Sequence, residues 1–558
     1  MTADERTGAR RHADTLVRAG RIYSMDEAGR VYRALTLRAD RILAVSAERD
    51  GLDDLVGPST QIVDSAGLTV LPAFDDTHAR LIAAGRAVRD VPLDQAGNIS
   101  HCIELIRARA AVTPPGQWIR TGANWHEVNL AERRLPTAAE LDTATISHPV
   151  LVRRGSRHAA ANNLALCLAG INPGTPDPPG GIIARGAAGQ PTGWLTGSAI
   201  APAERLIPVP GPDEQVGALG TAARDFAARG IGTVRDIEVS RDEMPLLRHA
   251  LSAGLLAVRV RVVIPVPFPG ERLKVGEFLD GLEEDGITPR SGDDRLRVWG
   301  LATALDDKAE NGGLDQPDAL TEDLTWDPGE LEDAVHRVAL RGWKIGVHAW
   351  SDRAITTALD VYERVLQRDP GLPPGILVIE HAGLAGPDQR ARAVRLRIPV
   401  TVQYPLLAAL APVLVERCGD QRVHDVFPLR EWLDEGGTLA AGSGYPGGSY
   451  AAMASLAGMV TRDTRAGVLG APHAITRQEA ARLHTAGAAR LLGEQHLGGM
   501  LAPGMLADLV AYTADPFTAP IGTVAGLLPE LTIVGGRPVH DTHQLLRPHH
   551  EDWLNSAQ

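Results

Sequence analysis

Cysteine, aromatic side chains, long apolar runs and excess basic charge are all scarce in this chain, and each shortage narrows what it is. The three cysteines, Cys102, Cys167 and Cys418, are odd in number and far apart, so neither a disulfide framework nor a cysteine zinc knot is supported. No stretch approaches the roughly 18 consecutive apolar residues of a membrane span. The first 13 residues are polar, carry several arginines and lack the apolar core of a signal peptide. Lys and Arg number 56 against 69 Asp and Glu, a net charge of −13, which disfavours nucleic acid and anionic membrane surfaces. With aromatics at only 4%, composition names no activity. The expected setting is a reducing cytoplasm.

What is present is an ordinary globular balance, 44% apolar and 22% charged. At 558 residues the chain is long enough for one large domain and a smaller companion. Residues from Asp14 to about Val70 hold short alternating apolar runs punctuated by Gly20, Asp40 and Gly67, which read as β-strands and turns. Beyond them, apolar strands alternate with amphipathic helices, the pattern of a parallel α/β architecture. Nine strands are expected: Thr69–Phe74, Pro149–Arg153, Ile231–Ile237, Val258–Ile264, Leu296–Leu301, Lys344–Ala349, Leu377–His381, Val400–Gln403 and Thr438–Ala441. Pro149–Arg153 belongs to an insertion of about residues 87–211, too long for a simple βα connection.

The first strand ends in Leu71-Pro-Ala-Phe-Asp-Asp-Thr-His-Ala-Arg80. That wording resembles the first-strand signature of the amidohydrolase superfamily, apolar-Pro-Gly-Phe-x-Asp-x-His-x-His. The C-terminal stretch with Gly499, Leu501, Pro503, Gly504, Ala507, Asp508, Leu509 and Val510 resembles the family's closing motif. Further wording (Leu135-Pro-Thr, Pro149-Val-Leu-Val-Arg, His158 with Asn162, Gly193-Trp-Leu, Gly342-Trp-Lys-Ile-Gly-Val-His-Ala) is similar to the long YtcJ-like branch, amidohydrolase 3, which includes N-substituted formamide deformylase. The resemblance implies a (β/α)8 TIM barrel over 71–495, with the insertion after the first barrel strand. It also implies a flanking β-sandwich built from both chain ends, 14–70 and 496–545.

In a parallel barrel, active residues sit at the C-terminal strand ends. His78, His348 and His381 each stand at such an end and each match a family metal-ligand position. Three further positions depart. The second histidine of the first motif is Arg80, which has no lone pair for a metal. The usual lysine of the fourth strand falls at Val298, with Lys308 well past the strand. The last aspartate is Gly444 in Gly442-Ser-Gly-Tyr-Pro446. Arg80 has two readings, facing the pocket to hold an anion or oxyanion, or salt-bridged to Asp75, Asp76 or Glu380. Asp76 reads as structural. Asp75, Gln403, His158 and Trp125 are the candidates for substrate contact, and Leu305 to Gly313 forms a polar loop after the fourth strand.

Three readings follow. The leading one is an amidohydrolase-like enzyme acting on a C–N bond of a small amide or cyclic amide. Its binuclear metal site is largely lost, Arg80 and the histidines stand in its place, and it carries no cofactor or one zinc held by His78, His348 and His381. In the family's two-metal plan, His78 belongs to the metal site opposite His348 and His381. Without a metal, elimination or isomerisation becomes an option beside hydrolysis. The second reading is a non-catalytic relative that binds a small molecule. The third is a zinc amidohydrolase with ligands recruited elsewhere, such as Asp75 or Asp306. The expected partners are a small-molecule substrate and a second copy of the chain, with no nucleic acid and no membrane.

Overall fold

The computed structural model describes residues 12–548 except 124, 156, 270–273 and 307–323. Eight parallel strands follow one another in chain order: β1 (Phe74–Ala79), β2 (Ile231–Asp236), β3 (Arg259–Pro265), β4 (Leu296–Ala304), β5 (Lys344–Ala349), β6 (Leu377–His381), β7 (Val400–Val402) and β8 (Leu439–Ala441). The ring closes where the Thr77 hydroxyl donates to the Ala441 carbonyl at 2.9 Å and Ala79 bridges in parallel to Tyr445. This is the (β/α)8 barrel that the alternation predicts. Among the described residues, no helix is long and apolar enough to cross a membrane.

One strand differs from its expected position. Thr69–Leu71 belongs to a long strand, Gln61–Pro72, of the flanking sheet, and the barrel strand begins at Phe74, where the apolar run ends. The polar residues that follow are buried because distant elements supply their partners. Asp76 Oδ1 accepts from the Ser443 and His78 N–H groups at 2.9 and 3.2 Å. The flanking sheet draws on both chain ends, with Gln61–Pro72 between Thr15–Tyr23 and Leu509–Tyr512. Asp508 ties it to the barrel: its carboxylate takes both guanidinium arms of Arg259 on β3 at 2.6 and 2.9 Å, and its carbonyl accepts from the Ala73 N–H.

Four helices bear on the site: α1 (Leu81–Ala87), α2 (Asp352–Arg368), α3 (Tyr404–Cys418) and α4 (Ala486–Leu492). Asp236, the last residue of β2, caps α1 by accepting the Leu81 and Ile82 N–H groups at 2.8 and 3.3 Å. The α2 helix starts at Ser351, whose hydroxyl accepts from the Ala354 N–H, and buries Ile355, Leu359, Tyr362 and Val365 at helical spacing. At roughly 1.5–3 kcal/mol per buried large apolar side chain, this face holds the end of β5 in place. The α4 helix plugs the N-terminal end of the barrel, packing Leu491 and Leu492 against Val263, Trp299 and Val378. The interior is therefore a filled core and not a pore.

Between α1 and the helix Pro212–Ala227, the chain forms its own five-stranded sheet, ordered Ile119–Arg120, Val150–Arg154, His158–Ala161, Pro191–Gly197, Gly181–Arg185. Asn162 organises its centre by accepting from the Val150 and Ala165 N–H groups and donating to the His148 carbonyl at 3.0 Å.

His484, beside the first strand, sets an acid limit on the fold. Its Nδ1 donates to the Asp75 carbonyl at 3.2 Å and its Nε2 faces the Ser455 hydroxyl at 2.9 Å. Burial lowers its pKa from 6.5 to about 4, so the folded state holds it neutral. The stabilisation is complete above pH 6.5 and is lost as the pH falls from 6.5 towards 4, because the unfolded chain then binds the extra proton. The full span is about 3 kcal/mol. Urea unfolding at pH 4.5 and 7 is expected to show His484→Gln with a flatter pH dependence than the parent by about that amount. Equal slopes would mean the ring is not buried neutral.

Candidate metal centre

The C-terminal ends of β1, β5 and β6 carry His78, His348 and His381, all buried. Their ring centroids lie 4.7–5.2 Å apart, and one nitrogen from each falls within 4.8 Å of the other two. The two-metal plan put His78 opposite the other pair; here the three imidazoles face one another. They do so because β1, β5 and β6 converge across the barrel mouth, although β1 is separated from β5 in sequence by some 270 residues.

Each outer nitrogen that is accounted for is fixed. His78 Nδ1 lies 2.9 Å from Glu380 Oε2. The carboxylate has only lone pairs to offer there, so Nδ1 carries the proton and Nε2 the lone pair. His381 Nδ1 lies 2.6 Å from Gln403 Oε1, which imposes the same tautomer. Glu380 is itself clamped within the barrel. Arg235 on β2 donates to it through Nη1 and Nη2 at 3.1 and 2.5 Å, and the Thr401 hydroxyl adds a bond at 2.7 Å. Burial alone would raise the Glu380 carboxyl, but the Arg235 charge and the His78 hydrogen bond outweigh it and hold it well below the usual carboxylate range. The Arg235 guanidinium also lies 3.7 Å over the Trp299 ring. His381 sits at φ +73°, a left-handed backbone that costs of order 1 kcal/mol and persists at positioned sites.

Three converging imidazoles, two of them oriented by Glu380 and Gln403, fit a zinc-type cation, which commonly takes three protein nitrogens and leaves a fourth position open. Asp306 lies just past β4, whose last residue, Ala304, pairs with His348. Its carboxylate accepts the Trp350 and Ser351 N–H groups at 2.9 and 2.7 Å, and burial pushes its carboxyl up.

The other candidates scatter. The sequence offers Asp75, Asp76 and Glu380 as partners for Arg80, but Arg80 Nη2 pairs with Glu238 Oε1 at 2.6 Å, just beyond the ends of β1 and β2. Glu380 and Asp76 are engaged elsewhere, as above. Asp75 does not join the histidines: it stands at the N-terminal end of β1, a strand length from His78, and lines a small cavity with Thr233, Arg261 and Asp508. Burial there pushes it up to about 8. Trp125 packs in the insertion's own core, its indole N–H bonded to the Arg153 carbonyl at 2.7 Å. His158 stands on the insertion strand His158–Ala161, opposite Arg154 and Thr196. Val298 packs outward in the main core while its neighbour Trp299 fills the barrel interior. Lys308 and the loop from Asp307 to Gly313 lie outside the described residues.

Gly444 stands beside the centre. Its N–H donates to the His78 carbonyl at 2.8 Å. With φ at +66°, any side chain there is strained, and a Cβ would stand 3.2 Å from Leu406 Cβ and 3.3 Å from Gln403 Cβ. Sequence reading missed Arg235. Its signal is a lone arginine in the apolar strand Ile231–Asp236, matched by a lone glutamate in Leu377–His381, opposite charges that only a shared interior reconciles.

This arrangement agrees with the comparisons to known proteins. A family model described as "Amidohydrolase family" matches residues 61–540. The chain is 28% identical to an N-substituted formamide deformylase of Arthrobacter pascens, covering 94% of this chain and 97% of that one. It is 25% identical to the putative amidohydrolase YtcJ of Bacillus subtilis, covering 94% and 98%. Among solved structures, an uncharacterized metal-dependent hydrolase from Pyrococcus horikoshii superposes with a TM-score of 0.70 at 23% identity, covering 91% of this chain and 99% of that one, which shows the shared fold. A barrel built strand for strand in this order, and a match over most of its length, leave one conclusion: the chain belongs to the amidohydrolase family.

Proposed function

We propose that this protein is a hydrolase of C–N bonds in small, non-peptide amides, working at the His78–His348–His381 centre with a single zinc-type ion. The observation that carries this reading is the convergence of three buried imidazoles, two of them with their outer nitrogens locked by Glu380 and Gln403. The full-length likeness to a protein named N-substituted formamide deformylase supports the substrate class. Such an ion, when bound, polarises a carbonyl and makes water acidic near neutral pH. The chain's own residues then do the rest. Glu380 keeps His78 Nε2 unprotonated, Gln403 does the same for His381, and the walls of the barrel mouth exclude bulk water. Gly444 supplies no carboxylate, and Asp306, next to the end of β5 and with its carboxyl raised by burial, is the candidate to take the proton of the attacking water. Arg80, held by Glu238, orients the substrate at the mouth and does not replace the metal.

The test is the metal content of tag-free protein after zinc supplementation, with hydrolysis of N-butylformamide followed as formate release. About one zinc per chain is expected, with turnover that is lost on chelation and regained with zinc. Protein that takes up no zinc and releases no formate would sink this reading.

A further inference from the structure

Gln403 follows β7 and is fully buried. Its carbonyl oxygen is taken by His381 Nδ1 at 2.6 Å. Its amide nitrogen, Nε2, is equally buried and has no hydrogen-bond partner among the described residues. Native proteins rarely leave such a donor unmatched, and where they do, the group awaits a ligand or an ordered water. The surroundings favour a ligand. Across from this side chain stands Gly444, whose missing side chain would sit 3.3–3.5 Å from Gln403 Cβ and Cγ, so the position that could crowd the amide holds no side-chain atoms. A second buried donor with no partner among the described residues packs against the same histidine: the Trp350 indole, whose ring centroid lies 5.6 Å from that of His381. The unpaired groups around His381 are thus N–H donors, and what suits them is an acceptor oxygen.

We infer that Gln403 is a specificity-determining residue whose Nε2–H donates to the carbonyl oxygen of the bound amide, while its Oε1 fixes the tautomer of His381. One carboxamide thereby couples substrate recognition to histidine orientation. The assignment rests on the proposed hydrolase reading for the identity of the ligand. It selects carbonyl compounds over analogues with a weaker acceptor at the same place, since a site built to hydrogen-bond one atom discriminates strongly against its loss.

Gln403→Glu isolates the donor, because a carboxylate still accepts from His381 Nδ1 but offers no N–H. The variant is expected to keep its zinc content, at a lower thermal midpoint because a carboxylate is then buried, while kcat/KM for N-butylformamide falls about 100-fold. For N-butylthioformamide, whose sulfur is a poor acceptor, the fall is expected to be within a few-fold, a difference that a purely structural role would not produce. Binding of N-butylformamide to zinc-free protein, measured by calorimetry, is expected to weaken about tenfold. Gln403→Met provides a second donor-free variant if the glutamate fails to fold. Equal losses on the oxygen and sulfur substrates, or unchanged values for both, would overturn the inference and assign the amide to a water. Binding that depends on Gln403 without any turnover would uphold the inference and sink the hydrolase reading. A parent protein that neither binds nor turns over the formamide overturns both.

Discussion

Glu380→Ala is expected to lose about 3–5 kcal/mol of folding stability, a large share of the roughly 5–15 kcal/mol that holds a typical protein folded. The reason is the group left behind. Arg235 is fully buried, and its charge is balanced by the two Glu380 oxygens at 2.5 and 3.1 Å. Truncation removes the carboxylate that balances it and leaves a guanidinium in a low-dielectric interior, where desolvation is no longer offset. His78 loses its orienting acceptor at the same time, which is expected to weaken zinc binding by 10–100-fold. Two companion variants separate these effects. Glu380→Gln keeps an acceptor for His78 and loses charge alone. Adding Arg235→Met to Glu380→Ala removes the stranded charge and is expected to recover most of the stability, but not the metal affinity. The measurement is the urea midpoint at unchanged slope, with zinc affinity by competition. A Glu380→Ala protein less than about 1 kcal/mol below the parent would show that water or another group compensates Arg235, and the clamp would lose its structural role.

How far the site was legible follows from where each residue finds its partner. Seven barrel strands stood out because their apolar runs are long enough to be told from their surroundings. Glycines also mark some entries: Gly230 at φ +86° before β2 and Gly342 at φ +78° before β5 are turns that other residues adopt at a cost. The first strand was placed too early for the converse reason. Asp76, Thr77 and His78 carry no apolar signal, and their burial depends on Ser443, Ala441 and Glu380, some 300 residues away or more. The three histidines were legible as strand-end residues lining one pocket, but their convergence on one ion was not, since spacing along a chain does not fix how closely strand ends meet across a barrel. The family pattern pointed to two separate metal positions for them. The partner of Arg80 and the place of Asp75 were illegible for a related reason. A charged residue next to a motif reads as part of it, whereas Glu238 lies at a neighbouring strand end and Asp75 at the opposite end of its own strand. Trp125 carries the same lesson, since an aromatic in a long insertion serves that insertion's own core first.

His348→Ala is expected to abolish zinc retention and lower kcat/KM by at least about 10³-fold, equivalent to about 4 kcal/mol of transition-state stabilisation. A centre of three nitrogens that loses one keeps only a bidentate pair, and the remaining imidazoles, fixed by Glu380 and Gln403, have little freedom to close around an ion. Unlike Glu380, His348 is not part of the buried ion pair. Its removal leaves the Arg235–Glu380 pair intact, and its strand is held by backbone bonds such as that from the Leu305 N–H to the His348 carbonyl at 3.0 Å. The expected outcome is therefore a split: catalysis lost, folding stability changed far less than by Glu380→Ala. His336→Ala is the control, because that histidine pairs with Asp369 away from the barrel mouth and is expected to leave zinc and turnover intact. Activity within tenfold of the parent in His348→Ala would remove the three-histidine centre from the chemistry. Loss of activity with zinc fully retained would instead make His348 a proton carrier, with the ion held by other groups. The two results assign different atoms to the reaction, and zinc stoichiometry measured beside the rate decides between them.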